Sequence, residues 1–409
     1  MTDILTFQPT SIANGGAGIA RDAQERPVFI PFTIPGETVS ARLLEEKAHY
    51  AHAELVAVIA ASPDRVEPRC LHFGVCGGCH FQHMAYAAQL AAKQQIVVDQ
   101  LQRIGGVTAV PITPTIPHPQ PWAYRAETEL TPTPEGGLGY WSPQQRQVIP
   151  IQECPIIHPD LFALWQDVDM VLPGLRKLTL RIGDDEALLA ALEIDDVEPP
   201  ELETDFPVSV AIVLPDRTAA TLVGDNYNIQ SVRDRDFRVS PGCYFAPSPA
   251  MLAPTIETIL RYAALTGQET VVDGYSGVGL FSAALAEQAA SVTAVEINPD
   301  AIADTIVNLA HTDNVSLYEG WFEDVLPQLA APDLLLVHPP EKGLSKAAIA
   351  AIGRQRPSRL IYVSSDVATL ARDGKYLIQA GFTLKAIQPI DAAPQTYHLD
   401  TVSLWQRES

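Results

Sequence analysis

Basic side chains are scarce in this sequence. Across 409 residues, 27 Lys and Arg stand against 49 Asp and Glu, a formal net charge of −22. Non-specific nucleic-acid binding runs on Lys and Arg contacts to phosphate, so this balance argues against a sequence-blind nucleic-acid binder. Long apolar runs are lacking too. Nothing approaches the ~18 residues of a membrane span, and MTDILTFQPT does not have the basic-then-apolar order of a secretion signal. The expectation is a soluble, cytoplasmic, monomeric protein with no membrane and no DNA partner. Cysteine is rare, at five residues, and that compartment disfavours a disulfide framework. What is present is apolar material, 47% of the chain against 19% charged, enough for buried cores. The length suggests about two or three domains.

The cysteines are unevenly placed. Cys70, Cys76 and Cys79 fall in CLHFGVCGGCHFQH, spaced C-x5-C-x2-C, and Cys154 lies far downstream in IQECPIIHP. Three close thiolates and a distant fourth suit zinc or an iron–sulfur cluster, and the spacing leaves the two open. Gly77 and Gly78 let the backbone fold round a metal where β-carbons would crowd it. Cys243 stands apart and reads as a small core residue.

Residues 1–62 read as short strands broken by glycine and proline, the pattern of a small β-barrel. After the cysteine trio comes a helix over 84–105. Its periodicity predicts a face of Tyr86, Leu90, Val97, Leu101 and Ile104, and Gly105-Gly106 stop it. Residues 110–240 look antiparallel and β-rich, with RAETELTPT, RKLTLRIG, ALLAALEI and VSVAIVL as strands. From about 241, strand and helix alternate, which predicts a doubly wound, mainly parallel α/β domain.

Within that last part, VVDGYSGVGLF runs strand, glycine turn, helix. Gly277 and Gly279 let a ligand approach the backbone, and the helix start offers free N–H groups. Glu296, closing the next strand in AVEINPD, is placed to accept from ribose hydroxyls. A dinucleotide fingerprint would want a third glycine where this chain has Ser282. The D-x-x-x-G-x-G form that starts at Asp273 suits S-adenosylmethionine (SAM) better than a nicotinamide.

Taken together, these segments resemble one family over essentially the whole chain: the SAM-dependent RNA (uracil-C5) methyltransferases that carry a TRAM domain and a 4Fe-4S cluster. GGAGIAR and PGETV resemble the TRAM barrel, an OB-like module. The stretch from Cys70 to Lys93 resembles the cluster motif and its trailing helix. SPGCYF, DGYSGVGLFS, VEINPDAI, YVSSDVATLARD and PQTYHLDTV follow in family order. The resemblance implies a TRAM-like barrel over 1–62, a β-rich central domain over 63–240 and a class I, Rossmann-like methyltransferase domain over 241–409. It also implies that the helix over 84–105 packs on the catalytic domain. Cys70, Cys76, Cys79 and Cys154 would hold the cluster, with zinc as the alternative. SAM would lie against Tyr275, Gly277, Gly279 and Glu296, and the partner would be rRNA or tRNA.

The family's chemistry adds a cysteine thiolate to uracil C6, methylates C5, and removes the C5 proton with a carboxylate. This sequence departs at those places. Ser365 occupies the position of the nucleophilic cysteine, and a hydroxyl ionises far above the ~8.5 of a thiol. Asp400 replaces the glutamate base, Ala246 replaces a cofactor-side glutamine, and His338 replaces an aspartate near the cofactor, in HPPEKGL. Trp321 and Phe322 stand where the family has small or acidic residues near adenine. Tyr124-Arg125 resembles its substrate-side pair, Gln82 and His83 read as partners near the cluster, and Pro394-Gln395-Thr396 shapes the loop that presents Asp400. The four substitutions leave two further readings open: a catalytically inactive RNA- and SAM-binding paralogue, or altered chemistry.

Overall fold

The structure is a computed structural model that describes residues 4–133, 137–168, 172, 174–195, 207–214 and 218–407. The chain opens with strands Ile4–Phe7 (β1), Ser11–Ile12 (β2), Gly18–Arg21 (β3), Pro27–Ile30 (β4), Thr38–Glu46 (β5) and Ala51–Ala60 (β6). They form one sheet in the order β1-β5-β6-β4-β3-β2. Apolar residues alternate inward along β3, β4 and β5, and Val28, Ile30, Val39 and the small Ala20, Ala41, Ala51 and Ala53 fill a compact core.

The cysteine segment then leads into helix Tyr86–Arg103 (α1). Its buried face is Gln89, Lys93, Ile96, Val97, Gln100 and Leu101. This corrects the apolar stripe expected from periodicity: Leu90 is only half-buried and Ile104 is exposed. The helix is wedged between two bodies. Ile96 packs with Ile12, Ile34 and Phe81 under the barrel, while Val97 and Leu101 join Val272, Leu335 and Leu370 in the C-terminal core. Polar residues turn inward because they meet a buried polar loop of the C-terminal domain, described below. Beyond α1 the chain stays on that domain, pairing Ile112 with Ile387 and Ile116 with Ile390.

The central part holds Glu127–Pro132 (β7), Leu138–Ser142 (β8), Gln147–Pro150 (β9), helix Pro159–Asp167 (α2), Leu175–Ile182 (β10), Leu188–Ile194 (β11), Val208–Val213 (β12) and Ala219–Val223 (β13). The sheet order is β13-β12-β11-β10-β7-β8-β9. It is antiparallel except that β11 and β12 run parallel, which the sequence reading did not foresee. α2 was also unforeseen. His158 caps it, Pro159 occupies its first turn, and Leu161, Leu164 and Trp165 go into the core at i, i+3 and i+4. A separate hairpin follows, Asn228–Val232 (β14) and Arg235–Val239 (β15).

The C-terminal domain alternates Leu252–Ala263 (α3), Thr270–Gly274 (β16), Leu280–Ala286 (α4), Ser291–Glu296 (β17), Pro299–Asn308 (α5), Val315–Glu319 (β18), Phe322–Val325 (α6), Leu334–Val337 (β19), Lys346–Gln355 (α7), Arg359–Ser364 (β20) and Val367–Gln379 (α8), then ends in Phe382–Ile390 (β21) and Asp400–Arg407 (β22). Strand order is β18-β17-β16-β19-β20-β22-β21, parallel from β18 to β20, with β22 antiparallel to both neighbours. The order reverses between β16 and β19. In such sheets the crevice beyond the carboxyl ends of these strands is where a ligand binds.

Candidate functional site

At that crevice β16 ends in Asp273 and Gly274, and the turn Tyr275–Gly279 leads into α4. Tyr275, Gly277 and Gly279 all have positive φ, of 63°, 54° and 85°. A β-carbon built on Gly277 would meet nothing within 4 Å, so its backbone faces open space. Gly274 is the opposite case. There a β-carbon would sit 2.4 Å from the ring of Phe322, so bare backbone is what lets that buried ring pack on the turn. Glu296, at the end of β17, accepts hydrogen bonds from the N–H groups of Gly277 (2.8 Å), Ile297 (2.7 Å) and Asn298 (2.8 Å). The carboxylate thus fixes the turn while lying beside the open face of Gly277. Asp273 is fully buried. Its Oδ2 accepts the Ser282 hydroxyl at 2.6 Å, its Oδ1 has no partner, and burial pushes the carboxyl up to about 7.

His338 follows β19 on the other side of the crevice. Its ring lies 6.1 Å from that of the exposed Tyr244 and 5.6 Å from Phe281. Burial pulls the imidazole down to about 4, so it is neutral near pH 7. Ala246 is half-buried against the apolar core and brings no polar group. Trp321 is exposed, whereas Phe322 is core.

Ser365 follows the end of β20 and Asp400 opens β22, at the same end of the pair. The ladder between these strands runs to the pair Ser364–Thr401, which makes Ser365 and Asp400 the next facing positions. Asp366 caps α8 by accepting from the Thr369 N–H at 2.7 Å. The Ser365 hydroxyl has no hydrogen-bond partner among the described residues. Burial pushes the Asp400 carboxyl up to about 7; the Lys93 ammonium holds it down and Asp391 adds a further push up.

The loop before Asp400 is gripped from the N-terminal side. Lys93 Nζ donates to Asp391 at 2.5 Å and to the Ala393 carbonyl at 2.9 Å, and both charged side chains are fully buried. Tyr86 donates to the other oxygen of Asp391 at 2.8 Å. Gln89 and Gln395 exchange two hydrogen bonds, the His80 and Phe81 N–H groups both donate to the Gln395 carbonyl, and Tyr124 donates to that of Pro394.

Cys70, Cys76, Cys79 and Cys154 line a single cavity together with Gln82, Arg125, Tyr140 and Glu153. Among the described residues no three Cys, His, Asp or Glu side chains converge closely enough to hold one ion. The thiols surround a space instead of meeting at a point. Burial pushes Cys79 up to about 12 and Cys70 to about 11. Backbone donors sit among the sulfurs, the Gly78 N–H donating to Cys76 Sγ at 3.4 Å. Arg125, whose segment resembles the family's substrate-side pair, lies in this wall, and Tyr124 is buried beside Cys79 and Ile156. His83 is buried near Phe32 and Phe73 with neither ring nitrogen bonded. Cys243 lies in the core, well apart from this set.

Residues 5–56 match the TRAM domain family. An RNA methyltransferase of Halalkalibacterium halodurans is 33% identical, the alignment covering 98% of this chain and 96% of that one. Another, from Nostoc, is 32% identical over 98% of this chain and 96% of its own. The chain belongs to this RNA methyltransferase family. The crystal structure of the Pyrococcus abyssi tRNA (uracil-54, C5)-methyltransferase, bound to S-adenosyl-L-homocysteine, superposes with a TM-score of 0.72 over 99% of this chain and 100% of that one, at 20% identity. The two share their fold from the barrel to the last strand. As an RNA methyltransferase of this family the chain has a class I methyltransferase fold and a TRAM domain. The described residues include no helix long and apolar enough to cross a membrane.

Proposed function

We propose that this RNA methyltransferase acts on C5 of a uridine in structured rRNA or tRNA in the cytoplasm, with SAM in the crevice over Gly277. Glu296 would accept from the ribose hydroxyls, the Gly277 and Gly279 turn would carry the nucleoside, and Tyr275, Ala246 and His338 would line its surroundings. SAM supplies an electrophilic methyl group. The observation that carries the reading is the facing pair beyond the last rung of β20 and β22, Ser365 and Asp400. The Ser365 hydroxyl would lose its proton to solvent as its oxygen adds to uracil C6, C5 would take the methyl and leave S-adenosyl-L-homocysteine, Asp400 would take the C5 proton, and the Ser365 oxygen would leave C6 and regain a proton as the C5=C6 bond re-forms. A base that titrates near 7 suits that proton transfer.

The unpartnered Ser365 hydroxyl favours a second reading, an RNA- and SAM-binding member that does not transfer methyl. A serine oxygen needs an adjacent base to act as a nucleophile, and no partner accepts its proton. Incorporation of label from tritiated SAM into total RNA decides between the two. The enzyme reading expects turnover by the wild type that is lost in Ser365→Ala. Label appearing only in Ser365→Cys would establish the second reading.

The four-cysteine cavity suits a 4Fe-4S cluster in its donor chemistry, with zinc as the alternative. Iron and acid-labile sulfide in anaerobically purified protein support the cluster; stoichiometric zinc with no iron would sink it.

A further inference from the structure

The wall of the cysteine cavity holds the half-buried cation Arg125. Arg125 forms no ion pair among the described residues, and its Nε–H is buried without an acceptor. A buried N–H of a cationic side chain left without an acceptor is costly, so an acceptor, best an anionic one, should complete it. Its backbone leaves it little freedom. The Arg125 N–H donates to the Ile156 carbonyl at 2.9 Å and the His158 N–H donates to its carbonyl at 3.0 Å, which ties it to the chain just past Cys154.

A second orphan donor shares the wall. Gln82 Oε1 accepts from the Cys70 N–H at 3.1 Å, which fixes the orientation of the amide and leaves the buried Nε2 with no partner. Both lining side chains thus present N–H groups without acceptors beside four sulfurs. The opposing charge is Glu153, whose carboxylate already accepts from the Leu71 N–H at 2.5 Å.

We infer that Arg125 and Gln82 donate hydrogen bonds to the sulfur atoms of the iron–sulfur cluster and raise its reduction potential. This rests on the cluster reading above. Four thiolates give the cavity net negative charge, one added electron increases it, and a fixed cation with N–H donors favours the reduced form. Arg125 is then a positioning and tuning residue, not an RNA contact.

The test is redox titration of the anaerobically purified full-length protein, followed by electron paramagnetic resonance, with iron and sulfide measured on each sample. Arg125→Met is expected to lower the equilibrium constant for one-electron reduction about tenfold, a potential about 59 mV more negative. Arg125→Lys should recover part of the shift and Gln82→Met should show a smaller one in the same direction. Arg125→Met with wild-type iron and sulfide content and an unchanged potential overturns the inference. If that variant does not retain iron, unchanged potentials in both Arg125→Lys and Gln82→Met overturn it equally. Wild-type protein without iron would defeat the cluster reading itself, a distinct result.

Discussion

Asp400, the proposed base, takes its acidity from a balance of burial and two neighbouring charges. Burial opposes its charge, Lys93 supports it, and Asp391 opposes it again, for a resting point of about 7. Removing a proton from carbon requires the ionised form, so methyl transfer should rise about tenfold per pH unit below 7 and level off above it. The same limb should appear in whichever of wild type and Ser365→Cys turns over, and Asp400→Asn should abolish turnover. A rate flat between pH 5 and 8 would remove Asp400 from the role of base. The sign for stability is the reverse. A carboxyl whose pKa is raised on folding favours the fold at low pH, and that contribution is lost as pH climbs toward 7. At this scale the sequence was informative about identity and poor about place. Ser365, Asp400 and Glu296 were visible as residues in recognisable segments. The place of Arg125 in the cysteine cavity has no mark in its own segment, because the backbone bonds that hold it there come from residues beyond Cys154, about 30 positions away.

At the scale of elements, α1 is the most consequential. It was legible as a helix, yet its inward face was misjudged. Periodicity assumes that the buried stripe is apolar, whereas Gln89 and Lys93 face a buried loop whose polar groups need partners, Gln395 for the first and the Asp391 carboxylate and Ala393 carbonyl for the second. Lys93→Met would leave Asp391 charged and buried beside Asp400. Breaking one side of such a pair costs about 3–5 kcal/mol, while Lys93→Met combined with Asp391→Leu should regain most of it. Thermal unfolding of the three proteins checks this, and equal losses in the single and double variants would contradict it. α2 escaped notice for a simpler reason. Nine residues give barely two turns of pattern, although the His-Pro-Asp start and the Leu161, Leu164, Trp165 spacing were signals that could have been read.

At the scale of the whole molecule, alternation of strand and helix after residue 241 was enough to foresee the doubly wound sheet, because each parallel strand is a short apolar run set off by helices. The barrel was legible from its turns. The parallel pairing of β11 with β12 was not, since pairing direction depends on how the chain returns and leaves no mark on the strands themselves. The acidic balance also takes a clearer meaning. Many of the few basic side chains are spent inside the molecule, as in Arg65 with Glu37, Lys93 with Asp391, Arg181 with Glu127 and Arg238 with Asp304.

The grip of α1 on the loop before Asp400 joins residues 298 to 306 positions apart. On the ribosome, the cysteine segment therefore emerges long before the partners that bury its trailing helix. Contacts so distant in sequence form late, so α1 and the cysteine segment before it wait in a loosely held state until nearly the last strand is made, while the barrel has its own core. Nascent chains stalled after Gly381 should have cysteines open to alkylation, and chains extended through Arg407 should protect them. Protection already present in the stalled chains would show that the N-terminal part closes without the C-terminal loop. The proposed cluster would then be held only once the last strands have been made, which places its loading after most of the chain has folded.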